Sequence, residues 1–187
     1  HDNHMLHRVL KDAEEGDEVA FVFWLNPKYC DPFDTRHDYY FSTMKRFMDE
    51  LEERDLGLHV IVAETEDDFV DQLGAVGALY FNAEYVEPFK QRDDNVIKLL
   101  GDEVLVVRLL DRHLFAPNAF TKKDGDPYKV FTPFKKAAYE EVPPKPYEVS
   151  RDSLKRLVTS KNEVPPELKK QFDRCERAWT ALGETAA

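Results

Sequence analysis

The best candidates for ligand chemistry in this sequence are Asn82 and Glu84, which follow a short apolar stretch. Residues 79–81 are leucine, tyrosine and phenylalanine, a run typical of a strand that is covered on both faces. In open α/β sheets, ligands bind in the crevice beyond the carboxyl ends of the strands. An amide and a carboxylate at this point therefore predict a binding site. The alternative is that Asn82 closes a turn and Glu84 lies in solvent.

The extended geometry of a strand decides whether these two side chains act together. Successive side chains alternate between the faces of a strand, so Asn82 and Glu84 are expected on one side and Ala83 on the other. In the competing interpretation, Glu84 forms a surface ion pair with Lys90 or Arg92, which contributes about 0–1 kcal/mol.

Other chemistry has weaker support. His1, His4 and His7 are spaced three residues apart, but no third convergent ligand for a metal lies nearby in the sequence. Adjacent carboxylates recur on predicted helix surfaces, where neighbouring residues do not face each other, so solvated faces explain them better than acid–base catalysis. The G-x-G-x-x-G, Walker and G-x-S-x-G patterns are all missing from the sequence.

The elements that position Asn82 and Glu84 alternate between strand and helix. Apolar runs predict strands at 19–25, 58–63, 78–81 and 103–110. Residues with helical spacing lie before and between them, at 39–53, 67–74 and 93–100 among others. In the helix at 39–53, the face predicted to be buried carries Tyr40, Met44, Phe47, Met48 and Leu51. This alternation predicts a Rossmann-like α/β domain, with a parallel sheet and helices on both faces.

Both ends of this pattern carry further expectations. The chain opens on a helix capped by Asp2 or Asn3, whereas such helices are normally fed by a strand, so we expect the first strand to be missing and the sheet to be interrupted where it would run. Near the other end, Thr132 is expected to cap a helix at 131–142. We predict an α/β domain at 1–141 and a proline-interrupted linker at 142–187.

Composition limits the class of protein. The chain has 187 residues and a net charge of −11, which argues against a protein that coats nucleic acid with a basic face. Two cysteines without a CxxC motif suit a reducing cytoplasm. We expect no membrane span, because no apolar run approaches the ~20 residues that one needs.

Several motifs resemble those of the photolyase/cryptochrome family. The ten residues 125–134 (GDPYKVFTPF) are similar to the signature that closes the family's N-terminal domain. Residues 1–3, 25–27, 82–85 and 92–93 resemble, in the family order, the motif after its first strand, the end of its second strand, and its crevice strand with the following helix. Asp111 with Leu114 and Pro117 resembles the exit loop, and residues 183–187 resemble the start of the family's helical domain.

The resemblance implies an N-terminal α/β fragment of a deoxyribodipyrimidine photolyase, which repairs cyclobutane pyrimidine dimers in UV-damaged DNA with light. FAD and the tryptophans that reduce it would lie in a domain beyond this chain. The fragment alone is accordingly expected to bind no FAD, to repair no DNA and to bind DNA only weakly. Trp24 is expected in the core and Trp179 in the linker.

The resemblance also implies an antenna chromophore in this domain. For a deazaflavin or FMN in the crevice, the matching positions are Leu25, Asn26, Arg36, Asn82 and Glu84. For methenyltetrahydrofolate at the domain boundary, the matching positions fall near Pro88 and Phe89, which lack the amide and carboxylate that would hydrogen-bond a pterin. The crevice type, or no antenna at all, is therefore favoured over the folate type.

Three functions remain open from the sequence. The first is the antenna part of a light-driven repair enzyme. The second is a cryptochrome-like blue-light photoreceptor with the same α/β domain and a signalling partner. The third is a stand-alone nucleotide-binding module, against which the final residues 183–187 count.

Overall fold

The computed structural model describes residues 3–30, 33–111, 113–154, 157, 159 and 161–175. Four strands alternate with helices: β1 (Phe21–Leu25), β2 (Leu58–Val62), β3 (Ala78–Asn82) and β4 (Leu105–Leu109). The helices are α1 (His4–Asp12), α2 (Thr35–Glu52), α3 (Glu66–Leu73), α4 (Phe89–Leu100), α5 (Phe131–Tyr139), α6 (Arg151–Leu154) and α7 (Pro166–Asp173), with a short 3₁₀ helix at Pro27–Tyr29. The predicted α/β alternation is confirmed.

The strands form two parallel pairs. β1 pairs with β2, with Phe21 opposite Leu58, and β3 pairs with β4, with Ala78 opposite Leu105. In the described part of the chain, no ladder joins β1 to β3. Parallel pairing is therefore confirmed, and the separation into two pairs agrees with the predicted interruption of the sheet.

Side chains alternate between two apolar clusters on opposite faces of the β1–β2 pair. Leu25, Leu58 and Val60 contact a cluster beneath α2 and α7, whereas Trp24 and Ile61 contact a cluster beneath α3 and α4. Period-2 alternation is the geometry that sends neighbours to opposite faces. Helices on both faces of a parallel sheet are confirmed, and they explain why these strands are apolar throughout.

Helix α2 is longer, and turned differently, than its sequence predicts. It begins at Thr35 rather than at residue 39, because the Asp34 side chain accepts hydrogen bonds from the backbone amides of its first turn. Phe41 is fully buried, whereas Phe47, which was placed on the inner face, is 48% exposed. The inward stripe runs through positions 41, 44, 48 and 51, which share a face at helical spacing.

Two predicted caps have different outcomes. The Asn3 side chain accepts a hydrogen bond from the Leu6 amide at 2.8 Å, which confirms Asn3 as the cap of α1; Asp2 lies outside the described residues. The prediction of Thr132 as a cap is wrong: α5 already begins at Phe131, and its capping position, Val130, makes no side-chain hydrogen bond to the helix. Pro133 is consequently the third residue of the helix, where a missing amide donor is still tolerated.

Part of the segment predicted as a linker packs on the domain. The Glu163 backbone pairs with the outer edge of β2, accepting from the Val60 amide and donating to the Leu58 carbonyl, both at 2.9 Å. Asn162 donates to the Met48 carbonyl, and Leu168 is only 3% exposed beneath α2. The division at residue 141 stays a prediction.

None of the helices in the described residues is both long enough and apolar enough to cross a membrane.

Candidate functional site

The carboxyl ends of the strands come together in pairs at one edge of each sheet. The Ala63 amide donates to the Leu25 carbonyl at 3.1 Å, so β1 and β2 end side by side. The Ala83 amide donates to the Leu109 carbonyl at 2.7 Å, so β3 and β4 do the same. Four of the five predicted site residues, Leu25, Asn26, Asn82 and Glu84, thus stand at or just after the ends of β1 and β3, where parallel α/β sheets bind ligands.

Leu25 and Asn26 form the β1 side of this edge. Leu25 is 7% exposed and belongs to the cluster beneath α2. The Asn26 side chain donates to the Glu64 carbonyl at 2.8 Å and accepts from the Lys28 amide at 3.1 Å, which starts the 3₁₀ helix. Its amide is therefore used to join the ends of β1 and β2 and to cap the turn.

On the β3 side of this edge, polar side chains directly follow the end of the strand. Ala83 is 6% exposed, whereas Asn82 and Glu84 are half-buried, as expected if Ala83 faces away from the other two. Tyr85 follows and packs edge-on against His113, with ring centroids 5.0 Å apart. This stretch places an amide, a carboxylate and a phenol directly after the strand.

Helix α4 contributes an ion pair that reaches towards β1. The Asp93 carboxylate is buried, with 5% exposure, and its Oδ1 accepts from Nε and Nη2 of Arg92 at 3.0 and 2.6 Å. The Arg92 guanidinium lies 5.5 Å from the ring centroid of Trp24 in β1 and 5.6 Å from that of Phe89. A cation placed over an aromatic face is stabilised by the ring quadrupole. These contacts connect the start of α4 to β1 across the interrupted sheet.

Three buried polar atoms in this region have no hydrogen-bond partner among the described residues: Asn82 Oδ1, the Tyr85 hydroxyl and Asp93 Oδ2. Buried polar groups in folded proteins are almost always hydrogen-bonded, and leaving one unsatisfied costs about 1–3 kcal/mol. All three belong to the stretch between the end of β3 and the second turn of α4. An external group that reached these atoms would restore the missing hydrogen bonds.

Arg36, the remaining predicted site residue, is engaged elsewhere. Its side chain is 88% exposed and donates to Asp34 Oδ2 from both Nε and Nη2, at 3.0 and 2.8 Å. The hydrogen bond from Arg36 holds the pKa of the Asp34 carboxyl well below its usual range. Arg36 therefore supports the cap of α2.

The arrangement is suited to binding a planar ligand. No group of metal-ligating side chains is found among the residues that the structure describes. What the edge offers is apolar strand ends, one small buried residue, Ala83, and hydrogen-bonding groups whose capacity is unused. A planar ring with a polar edge requires that combination.

Sequence reasoning selected Asn82 but omitted Tyr85 and Asp93 from the predicted site. Tyr85 and Asp93 both lay inside motifs that carried the family resemblance, but neither was assigned a binding role. The sequence signal that could have identified Asp93 is an Arg–Asp pair in the first turns of the helix that follows the crevice strand. Trp24 was expected in the core, and its ring stacks on Phe69 with centroids 4.4 Å apart.

Comparisons with known proteins agree with this architecture. The sequence profile of the DNA photolyase family matches residues 1–151. A curated deoxyribodipyrimidine photo-lyase from Alkalihalophilus pseudofirmus is 30% identical over 197 aligned positions, which take in 100% of this chain and 41% of the relative. The chain thus spans well under half of the length of that relative.

A solved structure supports the fold. The archaeal photolyase from Sulfolobus tokodaii, crystallised with two FAD molecules, superposes with a TM-score of 0.66 at 19% identity, over 94% of this chain and 39% of that protein. With a family profile that covers most of the residues and a matching fold, this chain belongs to the DNA photolyase family.

Proposed function

We propose that this chain is the N-terminal α/β part of a deoxyribodipyrimidine photo-lyase and that its crevice binds a light-harvesting chromophore of the flavin or deazaflavin type. The observation that carries the second half of the proposal is the set of buried atoms without partners: Asn82 Oδ1, the Tyr85 hydroxyl and Asp93 Oδ2. The curated relative is a photo-lyase, which favours repair over cryptochrome-like signalling for the whole protein.

The chemistry of these groups fits the polar edge of a flavin-like ring. Such an edge combines an N–H donor with carbonyl acceptors. Asn82 provides both an acceptor and a donor, the Tyr85 hydroxyl can act in either role, and Asp93 Oδ2 accepts. The archaeal photolyase structure contains two FAD molecules and implicates a novel light-harvesting cofactor, which supports a flavin-type ring as the candidate ligand.

Within the proposal, this chain has a limited task. The chromophore, when bound, absorbs light and passes the excitation energy on. The residues of this chain bind the ring, fix its orientation through Asn82 and Glu84, and keep water from the strand ends. Binding of FAD and repair of damaged DNA belong to the larger part of the relative's length, which this chain does not span. A cytoplasmic location belongs to the same proposal, and Cys30 and Cys175, which are both in the thiol form, suit it.

The test is a fluorescence titration of the 187-residue chain with FMN, a deazaflavin and methenyltetrahydrofolate. We expect the flavin-type rings to bind, and Asn82→Ala and Glu84→Ala to weaken binding by about 10- to 100-fold, the effect of one charge-assisted or buried hydrogen bond. The matched control is Asn95→Ala, whose side chain accepts from Gln91 on the surface of α4. Equal affinities for wild type and Glu84→Ala would exclude Glu84 as a ligand, and no binding of any flavin-type ring would exclude the antenna.

A further inference from the structure

The ion pair between Arg92 and Asp93 leaves one carboxylate oxygen unused. The Arg92 guanidinium donates from Nε and Nη2, at 3.0 and 2.6 Å, and both donors meet the same acceptor, Oδ1 of Asp93. An arginine fork often engages both oxygens of a carboxylate, one with each donor. Here Asp93 Oδ2 is buried without a hydrogen-bond partner in the described part of the chain. The pair therefore holds the carboxylate and leaves one acceptor available to another molecule.

Aromatic rings fix the position of the Arg92 guanidinium. It lies 5.5 Å from the ring centroid of Trp24 and 5.6 Å from that of Phe89. Trp24 is held in turn, because its Nε1 donates to the Ala63 carbonyl at 2.9 Å and its ring stacks on Phe69 with centroids 4.4 Å apart. A guanidinium over an aromatic face is stabilised by the ring quadrupole. Support thus passes from β1 through these rings and the guanidinium to the carboxylate.

The burial of Asp93 makes its charge depend on Arg92. The Asp93 side chain is 5% exposed, and among the residues that the structure describes its ion pair is with Arg92, which is 40% exposed. A buried carboxylate without a cation is destabilised so strongly that it takes up a proton instead. The next residue, Asp94, differs: it is 46% exposed and pairs with Arg108 at 2.6 Å. Arg92 therefore keeps Asp93 in its charged form and determines which of its oxygens is free.

The free oxygen of Asp93 determines which ligand group would match it. A carboxylate oxygen only accepts hydrogen bonds, so Oδ2 requires a donor from the ligand. The polar edge of a flavin or deazaflavin ring carries one such donor, an imide N–H flanked by two carbonyls. Asn82 Oδ1 is also buried without a partner among the described residues, but a charged acceptor forms the stronger hydrogen bond with a single N–H. Asp93 is therefore the better partner for the imide.

We infer that Arg92 is a positioning residue of the chromophore site: it keeps Asp93 ionised and oriented so that Oδ2 accepts the imide N–H of the ring. The inference rests on the proposed function, in which a flavin-type ring binds beyond the strand ends. It adds a specificity to that site, because the crevice selects rings that carry this N–H. A ring with a methyl group on the imide nitrogen leaves Oδ2 unsatisfied and binds more weakly.

The experiment compares riboflavin with its N3-methyl derivative in fluorescence titrations of the 187-residue chain. The wild type should bind riboflavin about 10- to 100-fold more tightly, the effect of one hydrogen bond to a charged acceptor. The methyl group also adds bulk, so the informative quantity is the change in this affinity ratio between variants. In Arg92→Gln the ratio should fall by about 5- to 10-fold, the difference between a charged and a neutral acceptor. The matched control, Arg108→Gln, breaks the neighbouring pair with Asp94 and should leave the ratio unchanged.

A purely structural role for Arg92 would weaken the binding of both rings equally, so a wild-type ratio in Arg92→Gln would overturn the positioning role. A ratio near one in the wild type would overturn Asp93 as the acceptor and leave the proposed function intact, whereas binding of neither ring would overturn both. If Arg92→Gln lowers the midpoint of thermal unfolding by several degrees, Phe89→Leu gives the comparison, because Phe89 is 45% exposed and lies beside the guanidinium. Its ratio should fall by about two- to fivefold, and an unchanged ratio would refute the inference.

Discussion

The buried carboxylate of Asp93 permits a direct test of whether the crevice is built for a ligand or for stability. The perturbation is Asp93→Asn, which keeps the shape of the side chain and removes its charge. Arg92 donates to Oδ1 twice, at 3.0 and 2.6 Å, while Oδ2 is buried and has no partner among the described residues. The two oxygens therefore contribute to folding with opposite sign.

The magnitude follows from those two environments. Making the acceptor neutral weakens each hydrogen bond from Arg92 by about 1–1.5 kcal/mol, the difference between charged and neutral hydrogen bonds. The asparagine amide places an NH2 group where Oδ2 was, and this group is equally unpartnered in the ligand-free chain, so the cost of about 1–3 kcal/mol for an unsatisfied buried polar group remains. Arg92 is 40% exposed, so water solvates it after the change. We expect the free energy of unfolding to fall by about 1–2 kcal/mol, from two weakened hydrogen bonds at a partly exposed guanidinium, which is below the ~3–5 kcal/mol for breaking a fully buried pair.

Ligand binding should respond differently. If Asp93 Oδ2 accepts a hydrogen bond from the chromophore, Asp93→Asn weakens binding of FMN or deazaflavin by about 10- to 100-fold. Urea unfolding followed by circular dichroism measures the first quantity, and fluorescence titration the second. The matched control is Asp94→Asn, the next residue, which is 46% exposed and pairs with Arg108 at the surface. A loss of 3 kcal/mol or more, with unchanged chromophore affinity, would refute the reasoning and make Asp93 a structural residue.

Three further predictions concern the fold. Phe41→Ala should lower the free energy of unfolding by about 3–5 kcal/mol in urea melts, because Phe41 is 0% exposed at the centre of the α2 cluster. Leu168→Ala should lower it by about 2–5 kcal/mol, although the residue lies in the predicted linker, whereas its neighbour Lys169→Ala should change it by less than about 0.5 kcal/mol. Burial raises the pKa of Tyr40 to about 12, whereas the same phenol ionises near pH 10 in the unfolded chain. The free energy of unfolding should therefore decline as the pH rises from 10 to 12. Tyr40→Phe should remove that part of the decline in pH-dependent melts.

Local patterns were sufficient for the main elements. The strands at 58–63 and 78–81 were predicted within one or two residues of β2 and β3, because continuous apolar runs between short polar connections leave few alternatives. Parallel pairing followed from the alternation of strands and helices. The family followed from short motifs such as residues 125–134, whose identity is a property of the sequence alone.

Local patterns were less reliable where the burial of a residue or the packing of a segment depended on another part of the chain. Helix periodicity showed that α2 has an apolar face, but the predicted face included Phe47 and left out Phe41. The contact with α7, more than 100 residues away in sequence, decides which one is buried. Prolines near residue 165 indicated a linker. The Glu163 backbone nevertheless pairs with the open edge of β2, because unpaired backbone N–H and C=O groups of an edge strand favour a hydrogen-bonding partner.

The candidate site divides in the same way. The sequence by itself determined that Asn82 and Glu84 stand at the end of a strand, since strand ends are marked by a local change from apolar to polar residues. Only the tertiary structure decided that the Asn26 amide donates to the Glu64 carbonyl, 38 residues away, and that the carboxylate of Asp93 is buried with one oxygen unsatisfied. Whether a polar side chain is free to bind a ligand depends on which distant backbone and side-chain groups reach it in the folded chain, and hydrogen-bond partners separated along the sequence leave no local pattern.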